Sequence, residues 1–310
     1  MTPLRLYARL LVLALVAAFS GACGASSSSP LVENVDQATA ATGEGDFLAL
    51  VAEGDAHWEN RSDRDAVEAA IAVWEQAITV PTPADMTRRE ALFPVYVNLS
   101  VAYYWHAHAH LRWEPGSEEA MMADYDQGKE YAETALALNN DAWTQALLYE
   151  TPIPDAVATL TADDVPAMYW YATNLGRWGL MRGITTVLAN VSDIKAMMDR
   201  VEELNPDFYY GAPNRYFGVY YTKLPFGNPD LDQSRARFEA NIEAYPQYLE
   251  TRVLLAEEWA MTTQDRALAE EHLQFVVEAD VTEWPELQPE NANAQRRAVQ
   301  LLEDLDEYFR

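Results

Sequence analysis

From Asp46 to the C-terminus, apolar residues return every third or fourth position, and no stretch alternates apolar with polar. That period commits the chain to helices, because a strand sends successive side chains to opposite faces and would need a period of two. The periodic runs cover about 46–59, 64–79, 87–111, 117–138, 163–189, 192–204, 213–223, 230–244, 247–262, 265–279 and 288–308. Joints rich in Pro, Gly and Asn separate them. The predicted fold class is therefore all-α, with about 11 helices.

Several runs share an internal pattern. The second helix of a tetratricopeptide (TPR) hairpin carries a small or apolar residue, then apolar ones four and seven positions later, often with a proline beyond. Ile194, Met198, Val201 and Pro206 fit that template. Ala269, Leu273 and Val276 fit it with Val281 at the proline position, and Ala70, Trp74 and Ala77 fit it, as do Gly128, Ala132 and Ala135. Ser234, Phe238 and Pro246 fit with Asn241 as the odd member. Small residues let the two helices of a hairpin approach, and a large one fills the gap. The pattern predicts a TPR-like α-solenoid, an array of helical hairpins, across residues 46–310. Pro152, Pro154 and Pro166 interrupt the array, so 140–165 reads as a loop over one end of it.

The N-terminus reads as an export signal. Arg5 and Arg9 precede the apolar run Leu10 to Phe19, which is too short to span a bilayer. Ser20, Gly21 and Ala22 lead into Cys23, the chain's only cysteine. This arrangement predicts a lipoprotein signal over 1–22 and lipidation at Cys23, although Ser20 stands where an aliphatic residue is usual. Ordinary secretion with a spare cysteine is the alternative. Residues 23–45 are small and polar, as expected of a flexible tether to a membrane. Gly24 after the cysteine allows sorting to the outer membrane.

Charge narrows the partners. The chain has 49 acidic against 21 basic residues, a formal charge of −28, and only three lysines. A field of that sign repels nucleic acid and anionic lipid surfaces. No nucleotide-binding glycine motif or nucleophile elbow is present, and Cys23 is committed to lipid, so the chain does not read as an enzyme and implies no cofactor. His106 and His110 stand four apart in Trp105-His-Ala-His-Ala-His-Leu and are the one pair with metal-ligand spacing. No carboxylate is placed by sequence to complete such a site.

The segment from Pro166 to Phe226 carries most of the functional signal. Aromatic rings crowd two helical runs, yet Asn174, Arg177, Asn214 and Arg215 sit among them. Aromatic surface with a few placed polar groups is what a small-molecule pocket uses. Trp170, Asn174, Trp178, Arg215, Tyr216 and Tyr220 are the candidate ligand-binding residues, with Arg215 as the main cation. The alternative is a core helix whose polar groups bridge to its neighbours.

In these segments the chain resembles a known family, the T-component proteins of tripartite ATP-independent periplasmic (TRAP) transporters, also called TatT-like. The likeness is carried by MYWYATNLGRWG (168–179), FYYGAPNRYFGVYY (208–221) and the run from Asp230 to Ala260. Ala212-Pro213-Asn214 stands where family members often have a Gly-Pro-His turn. The resemblance implies a periplasmic accessory protein of an organic-acid uptake system, with a channel-like apolar cavity, a homotrimeric assembly and the TRAP solute-binding protein as partner. The ligand it implies is a small organic acid or apolar molecule. A TPR scaffold for envelope protein assembly is the alternative from a different functional class.

Overall fold

The computed structural model describes residues 40–223 and 228–309, and no strand occurs among them. The described residues open with α1 (Phe47–Trp58) and α2 (Arg64–Ala77), then α3 (Arg88–Trp105) and α4 (Glu118–Asn139). Side chains with a free oxygen start the first three of these helices. Asp46 accepts from the Ala49 amide, Asp63 from that of Asp65, and Thr87 and Glu90 form a reciprocal capping box. Next come α5 (Asp141–Leu148), α6 (Ile153–Ala156), α7 (Val165–Arg182), α8 (Ile184–Leu204), α9 (Phe208–Thr222) and α10 (Leu231–Ala244). The C-terminal part holds α11 (Glu250–Leu254), α12 (Met261–Thr263), α13 (Arg266–Glu278), α14 (Gln288–Glu303) and α15 (Leu305–Tyr308).

Helices pack mainly on chain neighbours: α1 on α2, α3 on α4, α7 on α8, α9 on α10 and α13 on α14, while α4 also packs on α7. Trp74, Ala132, Met198, Phe238 and Leu273 are all buried, as are the residues four before and three after each, whereas Pro206 and Pro246 are exposed and Val281 is half-buried. Glycines make room for them. A Cβ at Gly218 would lie 2.6 Å from the Phe238 ring, and one at Gly54 would collide with Trp74.

Two hydrophobic cores result. One gathers residues from Phe47 to Phe217, the other from Phe238 to Leu305. A clasp joins the ends of the chain. Arg61, between α1 and α2, donates to both carboxylate oxygens of Glu290 on α14, at 3.0 and 2.9 Å, and to the Glu286 carbonyl at 2.8 Å.

Four details differ from the sequence reading. Gly183, with φ of +106°, ends α7 seven residues before the expected break at 189, and α8 absorbs the rest. Residues 140–165 form α5, α6 and short 3₁₀ turns rather than a loop, and Trp143 and Leu160 anchor them in the first core. The expected helices 87–111 and 247–262 each contain a π-helical turn, His106–His110 and Leu255–Ala260. The stretch expected as tether reaches only part-way to residue 45, since the amides of Thr42 and Gly43 both donate to the Thr79 carbonyl at 2.8 Å. Cys23, the signal segment 1–22 and the rest of the tether lie outside the described residues.

Candidate functional site

A cavity of about 270 Å³ lies where the two cores meet. On α7 the stripe Trp170, Thr173, Arg177 and Leu180 faces it. These positions are three, four and three apart, the spacing that keeps one helix face in view. Opposite them α8 contributes Val187, Val191, Ile194 and Met198, with Asn190 its one polar member, which make one limb of the cavity largely apolar. Arg215, Tyr216 and Tyr220 enter from α9, Glu250 and Glu258 from α11 and the turn after it, and Glu290 and Asn293 from α14. The cavity is therefore largely apolar on the α8 side and charged towards the C-terminal helices.

The start of α9 is bent to bring aromatic rings to this site. Tyr209, Tyr210 and Gly211 are consecutively left-handed, with φ of 45°, 57° and 67°. For the two tyrosines that conformation costs about 1–2 kcal/mol each. Right-handed helix resumes beyond Gly211, so Pro213 occupies the first turn, where its missing amide is harmless. Arg215 holds the bend by donating to the Tyr209 and Tyr210 carbonyls, the former at 2.6 Å, and Asn241 on α10 donates to those of Tyr210 and Gly211 at 2.9 Å. The Tyr209 ring then meets Trp170 edge-on at 5.3 Å and Tyr248 at 5.7 Å. The Arg215 guanidinium lies 4.1 Å from the centre of the Tyr248 ring.

Both π-helical turns border the cavity. His108 projects from the first and stacks on Tyr104 at 5.0 Å, and Glu258 projects from the second. Burial, together with Arg112, Arg177 and Arg297, holds the His108 imidazole well below its usual pKa, so it is neutral. Burial raises the Glu250 carboxyl, an effect that Arg112 and Arg177 oppose.

The charged groups of the cavity divide by partner. Glu290 is clasped by Arg61, Lys223 bridges Glu258 at 2.6 Å, and Arg215 is taken by backbone carbonyls. Arg177 and Glu250 form no hydrogen bond or ion pair among the described residues and sense their neighbours only through space. Burial works against the Arg177 charge, but Tyr104, Tyr125, Glu250 and Glu258 together hold its pKa above the ordinary value.

A model of the family "TRAP transporter T-component" matches residues 118–309, from α4 to the last helix. The chain belongs to this family. It is therefore an accessory component on the periplasmic side of a TRAP transport system, in a family of transporter components and not of known enzymes. No match was found among curated proteins. Among the described residues, no helix is long and apolar enough to cross a membrane.

Within this T-component the candidate residues separate into two groups. Trp170, Arg215, Tyr216 and Tyr220 line the one cavity. Asn174 and Trp178 do not. Each step of four residues along a helix rolls the side chain by about 40°, so the ridge from Trp170 through Asn174 to Trp178 turns away from the cavity. Asn174 is fully buried against Gly128 and donates to the Ser100 hydroxyl at 3.1 Å and the Trp170 carbonyl at 3.0 Å. Trp178 lies beneath Lys129 and Arg182. His106 and His110, in the π-helical turn, take separate partners: His106 Nδ1 lies 2.7 Å from Asp124, and His110 Nε2 is 3.0 Å from the Arg61 carbonyl. Sequence reasoning missed Tyr209, Tyr248 and Glu250 as wall residues. The signal for Tyr209 was within the aromatic motif, whereas Tyr248 and Glu250 arrive from a different hairpin.

Proposed function

We propose that this T-component is a lipid-anchored periplasmic protein of a TRAP-type organic-acid uptake system, holding a small apolar, anionic solute in its cavity and meeting the solute-binding protein that serves the same transporter. The cavity between the two cores carries the reading: it joins a largely apolar limb from α8 to a cluster of aromatic and charged side chains that includes Arg177 and Arg215. Such a mixture accepts a hydrocarbon body and orients a charged head. The anchor rests on Cys23 and the segment before it, with outer-membrane sorting permitted by Gly24. The homotrimer and the partner rest on family resemblance, and the TPR-like character of the hairpins on the buried template residues.

The test has two parts. The purified protein is opened by acid and its small-molecule content identified by mass spectrometry, and the protein is cross-linked in intact cells. Recovery of an organic acid together with capture of the TRAP solute-binding protein is expected. A cavity that yields no solute, with cross-links only to envelope assembly proteins, would replace this reading with that of a scaffold. Labelled palmitate entering the wild type but not Cys23→Ser checks the anchor.

A further inference from the structure

A cavity arginine without a hydrogen-bonded partner leaves its N–H donors for the contents of the cavity. Arg177 is in that position. It lies within the molecule, its side chain opens onto the cavity, and none of the described residues pairs with it. The other cations of the wall are already engaged: Arg215 by two carbonyls and Lys223 by Glu258. Arg177 is thus the cavity's free guanidinium, and Glu250 is its free carboxyl, likewise without a hydrogen bond or ion pair among the described residues.

Resting on the solute-binding reading above, we propose that this pair sets the charge of the ligand: Arg177 takes the single carboxylate of a monocarboxylic acid with an apolar tail, and Glu250 rejects a second carboxylate. A guanidinium presents two parallel N–H donors that match one carboxylate. Once it is used, a second carboxylate on the ligand has two places to go. Along Val187, Val191, Ile194 and Met198 it finds only the Asn190 amide, which already donates to the Thr186 carbonyl, and would lose most of its hydration uncompensated. Towards the charged end it meets Glu250, with Glu258 and Glu290 behind it. In its ionised form Glu250 repels that group. In its protonated form, towards which burial moves it, its one O–H completes the hydrogen bonding of the first carboxylate. Both states favour a ligand with one negative charge.

Hexanoate and adipate share a chain length and differ by the second carboxylate, so calorimetric titration of the detergent-solubilised protein with each one reads the selection. Hexanoate should bind more tightly, and Arg177→Met should weaken it by roughly ten- to hundredfold, the effect of losing hydrogen bonds to a charge. Because Arg177 makes no hydrogen bond among the described residues that Arg177→Met would break, the melting temperature of that variant should stay close to the wild-type value, which a framework role would not produce. Glu250→Gln, nearly the same size, should narrow the gap between the two acids. Equal binding of hexanoate and adipate, unchanged hexanoate binding by Arg177→Met, or a marked loss of its melting temperature would overturn the inference. Failure of both acids to bind would overturn it too, while leaving the transporter role to the cross-linking result.

Discussion

Asn241 stands where a hairpin template calls for an apolar residue, and its side chain is fully buried. Its amide serves two carbonyls of the left-handed turn, and its oxygen accepts from the Thr251 hydroxyl at 2.6 Å. Asn241→Leu would match the template better and yet should cost about 2–4 kcal/mol, because the Gly211 carbonyl and the Thr251 hydroxyl each lose a buried partner and the Tyr210 carbonyl loses one of its two side-chain donors. Urea unfolding checks this; an unchanged midpoint would mean that the turn does not depend on the amide. Glycines offer a second comparison. Gly218→Ala should destabilise by about 1–3 kcal/mol by pressing on the buried Phe238 ring. Gly176→Ala, whose nearest obstacle is Ile194 at 3.9 Å, should be neutral or gain up to about 1 kcal/mol from helix propensity. Single residues were legible where type alone decided the matter. Aromatic crowding found Trp170, Tyr216 and Tyr220. The roll of α7 misplaced Asn174 and Trp178, because a four-residue spacing drifts off a face that a three-and-four alternation keeps.

At the scale of elements, helix starts were the clearest part of the sequence. Asp46, Asp63 and Thr87 announce theirs because a side-chain oxygen there satisfies an amide that the helix cannot. The π-helical turns were invisible, since their extra residue leaves no mark on composition and only locally disturbs the periodicity. The bend at the start of α9 was hidden for a different reason: two tyrosines there adopt a conformation that tyrosine disfavours, and what stabilises it comes from Arg215 and another helix. Arg215 therefore belongs to the framework as well as to the cavity wall. Arg215→Ala should lower stability by about 2–4 kcal/mol through the two carbonyls it abandons, and Arg215→Lys should not rescue it, because an ammonium lacks the fork that reaches both. Thermal melts of the two variants decide this; full stability in the lysine variant would show that charge alone suffices.

The whole molecule couples its cavity to pH and to its own closure. His108 is neutral when folded, whereas in the unfolded chain an imidazole takes up a proton near the ordinary value of 6.5. The unfolded state thus binds the extra proton, so stability is full above that pH and declines as pH falls through it. The decline from this one residue should approach about 1.4 kcal/mol per pH unit. Denaturation midpoints between neutral pH and about 5.5 should fall with acid, and more shallowly in His108→Asn; equal slopes would assign the effect elsewhere. The hairpin sequence was readable along the chain, but the meeting of two cores was not, because it depends on contacts such as that of Arg61 with Glu290, 229 residues apart. That distance fixes an order of events. A chain growing from its N-terminus completes α7, α8 and most of the binding wall before the acid that latches them exists. The clasp is therefore closed last, and it adds to the packing of α9 on α10 that already joins the two cores.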